Sequence, residues 1–585
     1  KVFFKEKVSP DLFTSHRSER RDELSLDDNS LEYIGSIFSN LSFRDNPVDS
    51  LGAAFEVFAE GSLVGDLGQF FTPLRVVRTC IEILSPSINE KIIDPACGSG
   101  GFLNYALRYI SHNYKDKEKM DKYRRNCIFG IDKDPDLIKI AKTFASIMDV
   151  NLLNFMRLDS LRIPQSSFDV KYEKIRSYLG KFDIVVTNPP FGAKLKIRDK
   201  DILKEYDFGH KWIYDKKEKK WKRTNKIIPV QPQVLFLELC IKLLKKEGRL
   251  AIVLPEGIFG NPSYGWIRQY LLSYSEIIAI VDCPHDTFMP HTHTKTSLLF
   301  LKKTGEPKNN LIFMARVKNC GNDSRGSLIL DKKGRIIEDY SAVVKNFQEF
   351  KEGKLSESEL GYLIQREDLI DNIFIPKYYD YEVRKRIETL KRDNQYIPIS
   401  LGELVKKRYI TIKNLALTSP KLNYGYGTIP FVRTSDIGNG EIVYPTVHTI
   451  TEEIYDRYKS KQNLKEYDIL FVKDGTFRIG RSIMLFKNDL KALFQSHFKR
   501  IRVNKNSLID PFLLYFLLQT QIVQKQININ TFVQATISTI GNRILNIMLP
   551  IPSDEKERKK ISDMTKDILY TRNLGRARLF TKQYK

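Results

Sequence analysis

Several polar segments in this chain stand directly after apolar runs, and their types and spacing already define a chemistry. Ile93-Asp-Pro-Ala-Cys-Gly-Ser-Gly-Gly-Phe102 follows one such run and opens a helical stretch. Glycines at 98, 100 and 101 let the backbone turn tightly and approach a ligand beside a helix N-terminus. No Gly-Lys-Ser/Thr follows, so the lysine and magnesium-binding hydroxyl of a phosphate loop are missing. Asp94 precedes the glycines, where a carboxylate would repel a pyrophosphate but suit a cationic amino-acid moiety. The loop therefore points away from a dinucleotide and towards S-adenosyl-L-methionine. Asp132, in Gly130-Ile-Asp-Lys-Asp-Pro135, ends the next run, where it can accept hydrogen bonds from both hydroxyls of a ribose. Asp159, in Leu158-Asp-Ser-Leu161, is placed to accept from an adenine amino group. Taken singly, each aspartate is more often a turn or helix cap; at successive run ends behind a glycine loop, they favour a cofactor.

The tetrapeptide Asn188-Pro-Pro-Phe191 follows the apolar run Phe182-Asp-Ile-Val-Val-Thr187. Two prolines after an asparagine fix a rigid turn and present a main-chain carbonyl that no local N–H claims, with an aromatic face beside it. Such a pocket grips an exocyclic NH2 through two acceptors and aims its lone pair at an electrophilic methyl. No strong general base is required, because positioning supplies much of the rate. Asn188, Pro189, Pro190 and Phe191 are accordingly the candidate catalytic residues.

These segments need a scaffold. From about 68 to 305, short β-rich runs alternate with amphipathic helical stretches, the pattern of a parallel sheet with crossover helices. Strands are expected at Lys91–Asp94, Cys127–Asp132, Phe182–Thr187, Arg249–Leu254, Ile277–Asp282 and Thr296–Lys302. Residues 1–67 read as a helical lead-in, with helical spacing over Leu51–Phe58. Residues 193–226 carry 13 basic and 6 acidic residues interleaved with Tyr206, Phe208, Trp212, Tyr214 and Trp221, and read as an exposed loop outside the core. Residues 306–394 read as a connecting region. From 395 to 585 short strands broken by Gly and Asn give way to helices, which marks a second domain.

At 585 residues the chain has room for two to four domains. Its net charge is +24, and +16 of that excess falls in residues 391–585. A basic surface attracts phosphates and gains counterion-release entropy on neutralising them, so nucleic acid is the leading partner for the last third. With 42% hydrophobic and 28% charged residues, a mainly disordered chain is excluded, and no apolar run reaches membrane-spanning length. Six scattered cysteines without a CxxC pair argue against zinc ribbons and disulfide frameworks, so no metal is expected and a reduced, cytoplasmic setting fits. The chain opens on Lys1 rather than Met, so a natural N-terminal portion upstream is expected.

The set Gly68-Gln-Phe-Phe-Thr-Pro73, Asp94-Pro-Ala-Cys-Gly-Ser-Gly-Gly-Phe-Leu103, Gly130-Ile-Asp-Lys-Asp134 and Asn188-Pro-Pro-Phe191, in that order, resembles the γ-class of N6-adenine DNA methyltransferases. More narrowly it resembles the modification subunits of type I restriction-modification systems and their fused type II relatives, over roughly residues 30–305. The resemblance implies an α/β fold, a Rossmann-like S-adenosylmethionine-dependent methyltransferase sheet with an N-terminal helical segment and a C-terminal α+β target recognition domain. It also implies that Phe71, Thr72 and Pro73 line the methionine side of the cofactor, that Asp94, Ala96, Cys97 and Gly98 surround its amino-acid end, and that Asp132 and Asp159 hold ribose and adenine. Asn188 and the Pro189 carbonyl would hold the target amine. Phe191 would stack on the target base, with Phe288 as a second stacking residue. An adenine inside a duplex cannot present its amine to such a pocket, so base flipping is implied. The 194–226 segment follows the catalytic turn and is expected to close on the DNA near that base.

The last third resembles a single target recognition domain of a type I specificity subunit, through Ile429-Pro-Phe-Val-Arg-Thr-Ser-Asp-Ile437, Tyr467-Asp-Ile-Leu-Phe-Val-Lys-Asp-Gly475 and Ser538-Thr-Ile-Gly-Asn542. Arg433, Lys473, Arg478, Arg481, Lys499 and Arg500 are its candidate contacts to phosphates or guanine edges. Double-stranded DNA is the partner implied, and the resemblance admits a homodimer or separate restriction and specificity subunits. A nuclease upstream of Lys1, methylation of RNA or of a protein NH2, and a DNA-binding subunit with a dead methylase fold are the competing readings.

Overall fold

Ile92 and Ile93 are fully buried, and the strand they begin stops at Asp94, where the glycine turn leads the chain into its next helix. The computed structural model describes residues 27–39, 72–165, 169–192, 195–305, 310–415, 427–438, 440–444, 446–475, 478–534 and 537–583. The expected helix over Leu51–Phe58, and Phe71, lie outside the described residues. The chain divides into two compact units, Lys1–Pro376 and Lys377–Lys585.

In the first unit, α1 (Asp28–Phe38) starts on an Asp27 cap, and α2 (Leu74–Leu84) buries Val76, Val77, Cys80, Ile81 and Leu84 along one stripe. There follow β1 (Ile92–Asp94), α3 (Gly101–Asn113), α4 (Lys117–Asn126), β2 (Ile128–Asp132), α5 (Pro135–Ile147), β3 (Phe155–Arg157) and β4 (Phe182–Thr187). Then come β5 (His210–Asp215), β6 (Lys220–Ile227), α6 (Pro232–Leu243), β7 (Leu244–Pro255), α7 (Gly265–Tyr274), β8 (Ser275–Asp282) and β9 (Thr296–Lys303). The unit ends with β10 (Leu311–Arg316), α8 (Tyr340–Lys351) and β11 (Tyr362–Gln365).

Nine of these strands form one sheet in the order β11-β10-β8-β9-β7-β4-β1-β2-β3. Pairing is parallel from β3 through β2, β1, β4 and β7, and again between β8 and β10, while β9 runs antiparallel to both β7 and β8. The fold is therefore a mixed α/β sheet, and all six expected strands are in it. Sequence reading missed β3, β10 and β11. The last two lie in the stretch read as a connecting region, where only pairing with β8 extends the sheet to them. Because β1, β2, β3, β4, β7, β8 and β10 run the same way, their carboxyl ends share one edge, where open α/β sheets bind ligands.

The 193–226 expectation needs correcting. Its residues include the two-stranded β5–β6 hairpin, and Tyr206 and Phe208 are fully buried. Phe208 meets Trp266 and Tyr270 edge-on, and the buried Glu238 carboxylate accepts the main-chain N–H groups of Asp207 (3.0 Å) and Phe208 (2.7 Å). Aromatic spacing among lysines looks solvated in sequence because the surface it packs on, α7, is encoded fifty residues later.

Gly130 marks a close approach in the middle of β2: a Cβ there would stand 2.9 Å from the Phe155 ring and 3.1 Å from Cys97 Sγ. Gly130→Ala is expected to destabilise the unit by about 1–3 kcal/mol through overpacking, read as a lower midpoint in urea unfolding at unchanged slope.

In the second unit, Ile410–Asn414, Phe498–Val503, Ile469–Val472 and Ser482–Met484 form a four-stranded antiparallel sheet. The apolar helix Pro511–Gln519 and the 29-residue helix Glu555–Gln583 belong to the same unit, and Leu569 of the long helix is buried in its core with Leu513 and Leu517. Among the described residues, no helix is long and apolar enough to cross a membrane.

Candidate active site at the carboxyl edge of the sheet

Three aspartate-bearing loops and the asparagine turn meet at the shared edge. Asp94 ends β1 and is buried, with one carboxylate oxygen accepting the Ala96 N–H at 3.0 Å. Burial pushes its carboxyl up to about 7, against the pull of the Thr187 hydroxyl and the Ala96 N–H. Asp132 ends β2, and its two oxygens accept the main-chain N–H of Gly98 and of Asp134, each at 2.9 Å. A carboxylate has about four acceptor positions, so two remain for a ligand. Burial also raises Asp132, opposed by those two N–H donors. Asp159 is half-buried; it caps a short turn by accepting from Leu161 N at 3.1 Å and lies 3.7 Å from Arg162.

Cross-ties hold these loops in register. Cys97 N donates to Ile131 O at 2.9 Å, and the buried Ser160 hydroxyl donates to Pro95 O at 2.6 Å, lashing the β3 loop to the β1 loop. Cys97 is buried, and burial pushes its thiol well up, which makes it a packing group. Gly98 has φ +53°, and a Cβ added to it would meet nothing within 4 Å. Its backbone faces open space, as close ligand approach requires. Gly100, at φ +91°, delivers the chain into α3.

At the end of β4 the Asn188 Nδ2 amide donates to the Thr72 hydroxyl at 3.0 Å. In that orientation of the amide, Oδ1 is buried without a partner. An unsatisfied buried acceptor costs about 1–3 kcal/mol, so an orphan at the mouth of a ligand edge is the signature of an absent donor. Thr72, expected on the cofactor side with Pro73, is here the residue that orients Asn188; the two are 116 positions apart. Pro73 precedes α2 as its cap residue. Phe191 and Phe288 are both buried and stand edge-to-face with ring centroids 6.4 Å apart. The two aromatic rings expected to take a base thus stand against each other, the edge of one towards the face of the other.

Sequence reading also missed a buried ion triad at this edge. Lys295 Nζ lies 3.0 Å from Glu256 Oε1 and 3.0 Å from Asp282 Oδ1. Burial works against the ammonium, yet the two carboxylates hold it above the ordinary lysine range. Asp282 ends β8 and Lys295 precedes β9, so the pair closes the neck of the loop carrying Phe288. The available signal was Asp282 itself, an acid at a strand end like Asp94 and Asp132.

A family model described as N-6 DNA methylase matches residues 47–386. The chain belongs to that family. The methylase match spans every candidate residue at the sheet edge, and a second model, the type I restriction modification DNA specificity domain, matches residues 394–577. The chain is 30% identical over 256 residues to the type I restriction enzyme EcoEI methylase subunit of Escherichia coli, covering 43% of this chain and 45% of that protein. It is 26% identical over 355 residues to the MjaIX methylase subunit of Methanocaldococcus jannaschii, covering 58% and 56%. With the Escherichia coli type II restriction enzyme and methyltransferase RM.Eco57I it shares 24% identity over 363 residues, covering 47% and 35%. The chain thus spans about half the length, or less, of the curated methylase relatives it matches.

The six basic candidates of the second unit divide by environment. Lys499 and Arg500 are buried: Lys499 donates to Asn414 Oδ1 at 3.1 Å, and Arg500 to the carbonyls of Gln462 and Asn463 at 3.0 and 2.7 Å. Arg478 donates to the carbonyls of Thr434, Ser435 and Ile437, fixing that loop. These bonds commit part of each side chain's donors to carbonyl and amide oxygens of the unit itself, and in Arg478 they run from Nη1 alone. Arg481 is exposed, with one long bond to Ile437 O at 3.4 Å; Arg433 and Lys473 are partly exposed beside Asp436 and Asp474.

Proposed function

We propose that this protein is a site-specific DNA adenine-N6 methyltransferase of a restriction-modification system, with catalysis in the first unit and sequence choice in the second. The observation carrying the reading is the orphaned Asn188 Oδ1, held by Thr72 at a strand end beside the glycine turn, in a chain of the N-6 DNA methylase family. The residues present fit S-adenosylmethionine: Asp94 meets its ammonium, the open Gly98 backbone admits its amino-acid end, and the spare acceptor positions of Asp132 and Asp159 take ribose and adenine donors. When bound, that cofactor supplies a methyl already activated on a sulfonium. Asn188 Oδ1 and the Pro189 carbonyl accept hydrogen bonds from the two N–H groups of the target amine and turn its lone pair towards the methyl. As the N–C bond forms the S–C bond breaks, the neutral thioether leaves, and one amine proton passes to solvent. Pro190 keeps the turn rigid, so the acceptors are placed before the substrate arrives.

Duplex DNA is the substrate, its adenine flipped at a cost of a few kcal/mol. Opening the Phe191–Phe288 pair gives the base an aromatic face. The specificity-domain match at 394–577 supports assigning recognition to the second unit, where Arg433, Lys473 and Arg481, none of them buried, are the contacts we place first. Incubation with methyl-labelled S-adenosylmethionine and mixed-sequence duplex DNA should place label on adenine N6; label on cytosine, RNA or protein instead would sink the reading. Removal of residues 395–585 should abolish the sequence preference of labelling, and unchanged preference would contradict the division of labour.

A further inference from the structure

Between β4 and α6 the chain builds the β5–β6 hairpin, and four contacts fix it on α7. The Trp212 indole stacks on Trp266 with centroids 5.3 Å apart and planes 11° from parallel. Trp221 N donates to Gln269 Oε1 at 2.7 Å, Gln269 Nε2 donates back to Trp221 O at 3.0 Å, and Gly265 lies under the Trp221 ring, where a Cβ would stand 2.9 Å from Nε1. Helix α7 leaves the carboxyl edge and returns to the amino edge, and Gly265 and Trp266 are its first residues. The hairpin is therefore seated at the end of α7 nearest the edge that holds Asn188.

Residues 210–227 hold eight basic and two acidic side chains. Lys222 pairs with Asp215 and Glu218, Lys220 with Glu218, and Arg223 with Asp207, which uses both hairpin carboxylates. Lys211, Lys216, Lys217, Lys219 and Lys226 are exposed, and among the described residues their ammonium groups have no ion-pair partner. Five like charges held on one rigid two-stranded frame repel one another in the free protein, and that repulsion is relieved when a polyanion neutralises them. Lysine ammoniums are point charges suited to phosphate oxygens, without the planar fork that reads a guanine edge.

We propose that the β5–β6 hairpin is a sequence-independent phosphate-binding arm that holds the DNA backbone beside the target adenine. The proposal rests on the DNA-methylating reading above.

The test uses the full chain carrying Lys→Gln at 211, 216, 217, 219 and 226, and as control a chain carrying Lys→Gln at 115, 117, 119 and 122. Those four are exposed and lie in or beside α4, at the opposite edge of the sheet. Binding of a mixed-sequence duplex is followed by fluorescence anisotropy across a salt series. Each lost phosphate contact removes about 0.9 from the slope of log K against log salt, so the hairpin variant should lose about 2–4 in slope and at least about tenfold in affinity near physiological salt. The α4 control should keep both. A second variant, K216E/K217E, reverses charge at the turn alone and should also weaken binding and lower the slope. Equal losses in hairpin and control variants, or an unchanged slope in the hairpin variant, would overturn the arm while leaving adenine labelling intact. Absence of any adenine labelling by the unaltered chain would instead overturn the catalytic reading.

Discussion

Asn188→Ala is expected to abolish methyl transfer while leaving S-adenosylmethionine binding largely intact. The alanine removes one of two preorganised acceptors, and loss of a single such group typically lowers turnover by roughly 10²–10³-fold. Instability cannot explain a loss of that size. Deleting the side chain forfeits one hydrogen bond to Thr72, about 1 kcal/mol, but also removes a buried acceptor whose lack of a partner costs about 1–3 kcal/mol. The two terms oppose each other, so the melting temperature should hardly move. Asn188→Asp sharpens the test: the carboxylate still accepts, and the Thr72 hydroxyl can turn to donate, so partial transfer is expected. Single-turnover label transfer and calorimetric cofactor binding, run on the same preparations, decide the matter. Near-normal transfer by the alanine variant would rule out the proposed pocket.

That pocket was largely legible in the sequence because its parts are local. An apolar run followed by Asp-Pro, Gly-x-Gly or Asn-Pro-Pro fixes a strand end and a turn within a few residues, and parallel strands then bring those ends to one edge without further information. What stayed hidden depends on partners far along the chain. The side-chain partner of Asn188 is Thr72, Phe191 meets Phe288, and the order of the β5–β6 hairpin comes from Trp266 and Gln269. β10 and β11 join the sheet through pairing that their own composition does not specify. The same limit applies to Lys499, Arg500 and Arg478: their sequence surroundings do not show which carbonyl and amide oxygens they serve inside the unit. Lys295 was overlooked for the converse reason: a lone lysine before a strand carries no sign that two carboxylates surround it.

Asp94→Asn is expected to weaken S-adenosylmethionine binding severely and, at neutral pH, to make the protein more stable. Both effects follow from a carboxyl that burial lifts to about 7. An unfolded aspartate titrates near 3.9, so between about pH 4 and 7 the folded chain holds a proton that the unfolded chain has lost. The stability linked to that proton is fully present below about pH 4 and is gone above about 7. At pH 7.5 the native residue therefore carries a desolvation penalty bounded by roughly 4 kcal/mol, which asparagine avoids while still accepting the Ala96 N–H. The stability gain should shrink as pH is lowered towards 4, which thermal melts across that range would reveal. Cofactor affinity has the complementary profile. A bound ammonium favours the carboxylate form, so below about pH 7 binding must expel a proton and should weaken approximately tenfold per unit in the limit. Above about 8 the ammonium itself deprotonates, giving an optimum between the two. Titration calorimetry from pH 5.5 to 9 should show that maximum for the native chain and no acid limb for the asparagine variant. An acid limb that survives the substitution would place the cofactor's ammonium elsewhere on the edge and leave Asp94 as a strand-end residue without a ligand.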